Sequence, residues 1–89
     1  MTTMIYDRRK KVIGTITLSM IRSTVDLHAT PNTTGEIMYQ EEGCDFWIDF
    51  WTGPAAMAGD VFEWAVENLK NSVSIEEIEE YMMGNPAFE

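Results

Sequence analysis

A chain of 89 residues that is 45% hydrophobic and carries a net charge of −9 is long enough for one domain and too apolar to stay disordered. Its acidity argues against direct binding to nucleic acid or to an anionic membrane, because like charges repel. Cys44 is the single cysteine, which excludes an intramolecular disulfide and a cysteine-based zinc site and points to a reducing, cytoplasmic setting.

The first residues, Met1 to Arg9, lack the basic-then-apolar layout of a signal peptide. No apolar run approaches the roughly 18 residues that span a bilayer. Charge is unevenly spread. Residues 1–22 hold five bases against one acid, and residues 23–89 hold fourteen acids against one base. Four of the bases, Arg8, Arg9, Lys10 and Lys11, are consecutive, and the natural partners for such a cluster are the acidic residues of the second half.

Val12 to Met20 is rich in β-branched residues and alternates, which predicts a strand with Val12, Gly14, Ile16, Leu18 and Met20 on one face. Met4-Ile5-Tyr6 pairs with it as a hairpin through Asp7-Arg8-Arg9-Lys10. That turn has no glycine, so a four-residue loop is expected. Thr24 to Ala29 alternates cleanly and predicts a third strand, and Thr30 to Gly35 reads as a loop by composition. Glu36 to Gln40 predicts a short strand. Glu41-Glu42-Gly43 predicts a turn in which Gly43 takes a positive φ. Cys44 to Trp51 predicts the last and strongest strand.

The remainder reads as helices. Pro54 suits a first helical turn, and Val61, Phe62, Ala65, Val66 and Leu69 recur at helical spacing. Asp60 followed by Glu63 offers an alternative start. Ser74-Ile75-Glu76-Glu77 is a capping box, with Val73 and Ile78 placed for a hydrophobic staple. Gly84-Asn85-Pro86 is a stop signal. The expected fold is α+β: an antiparallel sheet of about five strands over residues 3–51, then two C-terminal helices at about 54–70 and 75–83, both on one face of the sheet. The whole chain, 1–89, forms one domain.

The inventory for chemistry is thin. His28, the only histidine, shares a strand face with Asp26, as an ordinary surface pair would. Cys44 sits beside Asp45, and an adjacent acid discourages the thiolate. There is no glycine-rich phosphate loop and no metal-ligand spacing, so no cofactor and no enzymatic activity are expected.

Two surfaces remain as candidates for binding. Alternation along the last predicted strand puts Cys44, Phe46, Ile48 and Phe50 inward, and Asp45, Trp47, Asp49 and Trp51 on the open face of the sheet. Exposed aromatic residues among charges mark binding hot spots. The predicted helices carry acidic stripes, Asp60-Glu63-Glu67 on the first and Glu76, Glu79 and Glu80 on the second. Carboxylates four apart on a helix lie about 6 Å from one another and present a row of negative charge. These features predict a small acidic protein–protein interaction module with a protein partner of basic surface. In its sharpest form it is an inhibitor that mimics nucleic acid, of the kind phages and mobile elements direct against restriction or CRISPR enzymes. The alternative is a housekeeping or structural interaction module, able to form a homodimer through the Trp47 and Trp51 face.

Overall fold

The structure, a computed structural model, describes residues 1–23 and 32–86. Four strands, β1 (Thr2–Tyr6), β2 (Val12–Ser23), β3 (Asn32–Glu41) and β4 (Ile48–Pro54), precede two helices, α1 (Ala55–Lys70) and α2 (Ile75–Met83). The strands form one antiparallel sheet in the order β1-β2-β3-β4. The sheet therefore has four strands among the described residues, against about five expected. β2 and β3 pair without a break from Gly14–Glu41 to Ser23–Asn32. The strand predicted over 24–29 lies outside the described residues, as do His28 and Asp26.

The β1–β2 connection closes without a glycine. Lys10 takes the left-handed conformation at φ 62°. The Asp7 carboxylate stabilises the bend by accepting from the Arg9 and Lys11 amides at 2.8 and 3.0 Å. Gly43 has the positive φ expected of it, 88°, and the Cys44 amide donates to the Glu41 carbonyl at 3.0 Å to close that turn.

Thr33-Thr34-Gly35 belongs to β3, although its composition reads as a loop. Gly35 serves packing here. A Cβ at this position would stand 2.5 Å from the Ala58 Cβ of α1, so glycine is what lets the helix lie close on the sheet.

The core lies between the sheet and the helices. Ile5, Ile16, Leu18, Ile37 and Tyr39 face it from β1 to β3, and α1 adds Ala58, Val61, Phe62, Ala65 and Leu69. From α2 come Ile75, Ile78 and Met82. α1 starts at Ala55 with Pro54 as its N-cap and no side-chain cap bond, so Asp60 does not begin it. Trp64 of α1 stacks on Tyr81 of α2 with ring centroids 5.4 Å apart, which ties the helices together.

Both helix ends between α1 and α2 are well formed. The Glu77 amide donates to the Ser74 hydroxyl at 3.2 Å, as the capping box requires. Replacing Ser74 with alanine is expected to lower stability by about 0.5–2 kcal/mol. An unchanged urea midpoint would show that the hydroxyl caps nothing. At the end of α1, the Val73 amide donates to the Asn68 carbonyl at 3.0 Å and the Ser72 amide to that of Leu69 at 3.1 Å. This pair of bonds turns the chain through a left-handed residue, which is Ser72 at φ 66° rather than glycine. A left-handed L-residue costs roughly 1–2 kcal/mol, and part of the gain from glycine is returned as unfolded-state entropy. Ser72→Gly is therefore expected to raise the midpoint by an amount equivalent to about 0.5–1 kcal/mol. A lowered midpoint would contradict this account of the turn.

Candidate functional site

The predicted Cys44–Trp51 strand is the segment the structure changes most. β4 begins only at Ile48, and residues 44–47 form a bend. Phe46, expected inward, is 66% exposed, and Trp47 beside it is 41% exposed. Cys44 is a free, half-buried thiol.

Trp51, expected on the open face, is buried at 6% exposure. The cause is a bulge. Ile37 pairs with Trp51 and Met38 with Asp49, so Phe50 is an extra residue on β4. An extra residue breaks the two-residue alternation and lets neighbouring side chains point the same way. Phe50 and Trp51 consequently both enter the core. The open-face set Asp45, Trp47, Asp49 and Trp51 is thus divided. Asp49 stays exposed, with the Thr52 hydroxyl donating to it at 3.5 Å, and Asp45 and Trp47 belong to the bend. The Trp51 Nε1–H is buried with no acceptor among the described residues.

The acidic residues fall on separate surfaces. Glu63 and Glu67 line a groove between α1 and the edge strand β1, together with Met1, Phe62, Val66 and Lys70. On the opposite side, Glu79 lines a groove with Asp49, Thr52 and Met82. The fold therefore brings together Asp49 and Glu79, which lie thirty residues apart in sequence. Asp60, Glu76 and Glu80 are exposed on the outer surface of the helices. A third groove, between the β1–β2 turn and the α1–α2 connection, holds Asp7, Glu41 and Glu42 beside Tyr39. Burial, and then the Glu41 carboxylate, raise the Tyr39 phenol above its ordinary value of 10.0, and its hydroxyl donates to the Ile13 carbonyl at 3.1 Å.

Among the described residues the helix carboxylates form no ion pairs, and neither do Arg8, Arg9, Lys10 or Lys11. The basic turn is thus not an internal partner for the acidic helices, although the sequence suggests one. Exposed pairs contribute only about 0–1 kcal/mol, too little to bring distant surfaces together.

Among the described residues, no three His, Cys, Asp or Glu side chains are placed to hold a metal ion, and no helix is long and apolar enough to cross a membrane. Sequence reasoning missed the exposed Phe46 and the Trp64–Tyr81 stack. The Gly43 turn was a signal for the first, since a chain leaving a turn is not yet committed to a strand. Compared with protein-family models, curated proteins and solved structures, this chain matches none.

Proposed function

We propose that this protein is a non-enzymatic interaction module of the cytoplasm whose acidic helices dock on a basic, phosphate-binding surface of another protein. The observation that carries the reading is that the exposed carboxylates of α1 and α2 have no ion-pair partner among the described residues. Like charges at i and i+4 destabilise a helix by a few tenths of a kcal/mol. Glu63 with Glu67 and Glu76 with Glu80 both have that spacing, and a basic partner offsets the repulsion on binding. The groove of Asp49 and Glu79 adds a place for an arginine or lysine side chain. Its apolar stem would lie along Met82 and its head between the two carboxylates.

In this reading the protein competes with nucleic acid for its target, as an inhibitor of the type carried by phages and mobile elements does. Competition gives the test. Immobilised protein is exposed to a nuclease-treated lysate, and bound proteins are eluted with double-stranded DNA or RNA. Nucleic-acid-binding proteins released by the polyanion are the expected result. Retained proteins that neither DNA, RNA nor salt displaces would overturn the mimic reading.

A second reading rests on Phe46 and Trp47, two neighbouring aromatic residues exposed in the β3–β4 connection. They fit an apolar anchor in an interaction module of housekeeping type. Retention at high salt, lost on changing both to alanine, is the outcome expected of it.

A further inference from the structure

The two edges of the sheet are built differently. β4 carries Asp49, a bulge at Phe50 and a terminal Pro54, all features that discourage a further strand. β1 reads Thr-Thr-Met-Ile-Tyr, with neither charge nor proline.

The direction of its free groups follows from the pairing with β2. The Met1 amine donates to the Leu18 carbonyl at 3.0 Å, and the Leu18 amide donates to the Met1 carbonyl at 2.7 Å. Bonding direction alternates along an antiparallel strand. Met1, Thr3 and Ile5 therefore bond inward to β2, and Thr2, Met4 and Tyr6 direct their N–H and C=O groups away from the sheet. Among the described residues, no other strand pairs with that edge.

The two ends of β1 differ in charge. Beyond Tyr6 comes the basic turn Arg8-Arg9-Lys10-Lys11. Beside Met1, Thr2 and Thr3 lies the α1 groove of about 620 Å³, where the carboxylates of Glu63 and Glu67 stand with Lys70 and the Met1 ammonium, so that this end is near neutral but offers two acids to a basic turn.

We propose that a second copy of this chain adds to the β1 edge, antiparallel and centred on Met4, joining two four-stranded sheets into one of eight strands. This register sets Met4 opposite its counterpart and Thr2 opposite Tyr6, so that every outward-bonding residue meets another. The same pairing covers Met4 and Tyr6, which are 48% and 47% exposed. It also carries the basic turn of each copy to the Met1 end of the other, where Glu63 and Glu67 stand, and the two-fold axis makes that contact twice. The net charge of −9 on each copy opposes association. Screening over about 8 Å at physiological ionic strength weakens this distant repulsion more than the close attraction of opposite charges. Five-residue strands make a small interface, below about 1,200 Å² in total, so a dissociation constant of roughly 1 µM to 1 mM is expected.

Sedimentation equilibrium from about 10 µM to about 2 mM tests the dimer over that range. The wild type is expected to pass from monomer to dimer. Met4→Pro removes an outward N–H and leaves the bonds to β2 intact, so it is expected to remain monomeric with an unchanged circular dichroism spectrum. Met4→Lys, which places a charge on the edge, is a second variant with the same expectation should proline disturb the fold. Reversing Arg8 and Arg9 to glutamate, or Glu63 and Glu67 to lysine, is expected to weaken self-association about tenfold or more. An equimolar mixture of these two variants should associate again, because both contacts of the mixed dimer are restored. Amide exchange gives a readout free of substitutions: Met4 and Tyr6 gain protection with concentration, while Thr3 and Ile5 are protected throughout. A wild type monomeric at the highest concentration overturns the proposal. So does a dimer that persists in Met4→Pro while the Met4 and Tyr6 amides of the wild type exchange freely at every concentration. Met4 variants touch no carboxylate, so their outcome is separate from that of the partner-docking reading.

Discussion

Trp51→Ala is expected to unfold this domain or bring it close to unfolding, while Trp47→Ala leaves the denaturation midpoint nearly unchanged. Trp51 is 6% exposed and Trp47 41%. The Trp51 indole lies against Gly53, where a Cβ would approach its Cζ2 to 2.6 Å, and over Gly35, where a Cβ would stand 3.5 Å from its Cζ3. No side chain on either glycine can fill the space left by its removal. Truncating a buried tryptophan to alanine costs about 3–5 kcal/mol, and collapse into such a site is restricted. Total stability is about 5–15 kcal/mol for most domains, and a small chain lies toward the lower end. Trp47 lies in a bend outside the buried cluster, so its loss is expected to cost about 1 kcal/mol or less. Chemical denaturation of the two variants, followed by circular dichroism, gives the comparison. Equal losses would place Trp47 in the core and remove it as a candidate anchor. Trp51→Phe adds a finer test. It deletes an indole N–H that is buried without an acceptor among the described residues, so relief of that desolvation partly offsets the lost area and the penalty falls well below that of alanine.

Reversing Glu63 and Glu67, or Glu76 and Glu80, to lysine is expected to slow association with a basic partner by on the order of tenfold or more, with folding preserved. All four residues are exposed and none has an ion-pair partner among the described residues, so each substitution should change stability by roughly 0.5 kcal/mol or less. The loss should fall mainly on the association rate and shrink as salt rises, because steering acts through the field. Alanine at Phe46 and Trp47 should instead raise the dissociation rate if these two residues anchor the partner. Surface plasmon resonance at two salt concentrations separates the effects. Using the Met4→Pro background keeps self-association out of the measurement. Unchanged association after reversal on both helices, with binding abolished at Phe46 and Trp47, would move the site from the acidic helices to the aromatic loop.

The sequence by itself determined the features that depend on near neighbours. Ser74 and Glu77 are three residues apart, so the start of α2 follows from local bonding geometry. The Gly43 turn and the alternation through Gly14, Ile16 and Leu18 likewise depend on a few adjacent dihedral angles. The apolar face of α1 was legible for the same reason, since 3.6-residue spacing is a property of the segment alone. The exposure of the helix acids follows as the other side of that pattern.

Tertiary structure decided whatever required two distant segments to meet. Gly35 carries a loop-like composition, and pairing with Met20 and Gly53 makes it a strand residue, while the approach of Ala58 makes it a glycine. Alternation assigns Trp51 to the open face, and the bulge opposite Ile37 turns it into the core, because pairing with β3 rather than local preference sets where β4 inserts its extra residue. Composition suggests that the Arg8–Lys11 turn meets the acidic helices, yet weak exposed charges do not override strand pairing and apolar burial. Asp49 and Glu79 came to share one groove because α2 packs beside β4, a consequence of core burial at Ile78 and Met82 that no short stretch of the chain records.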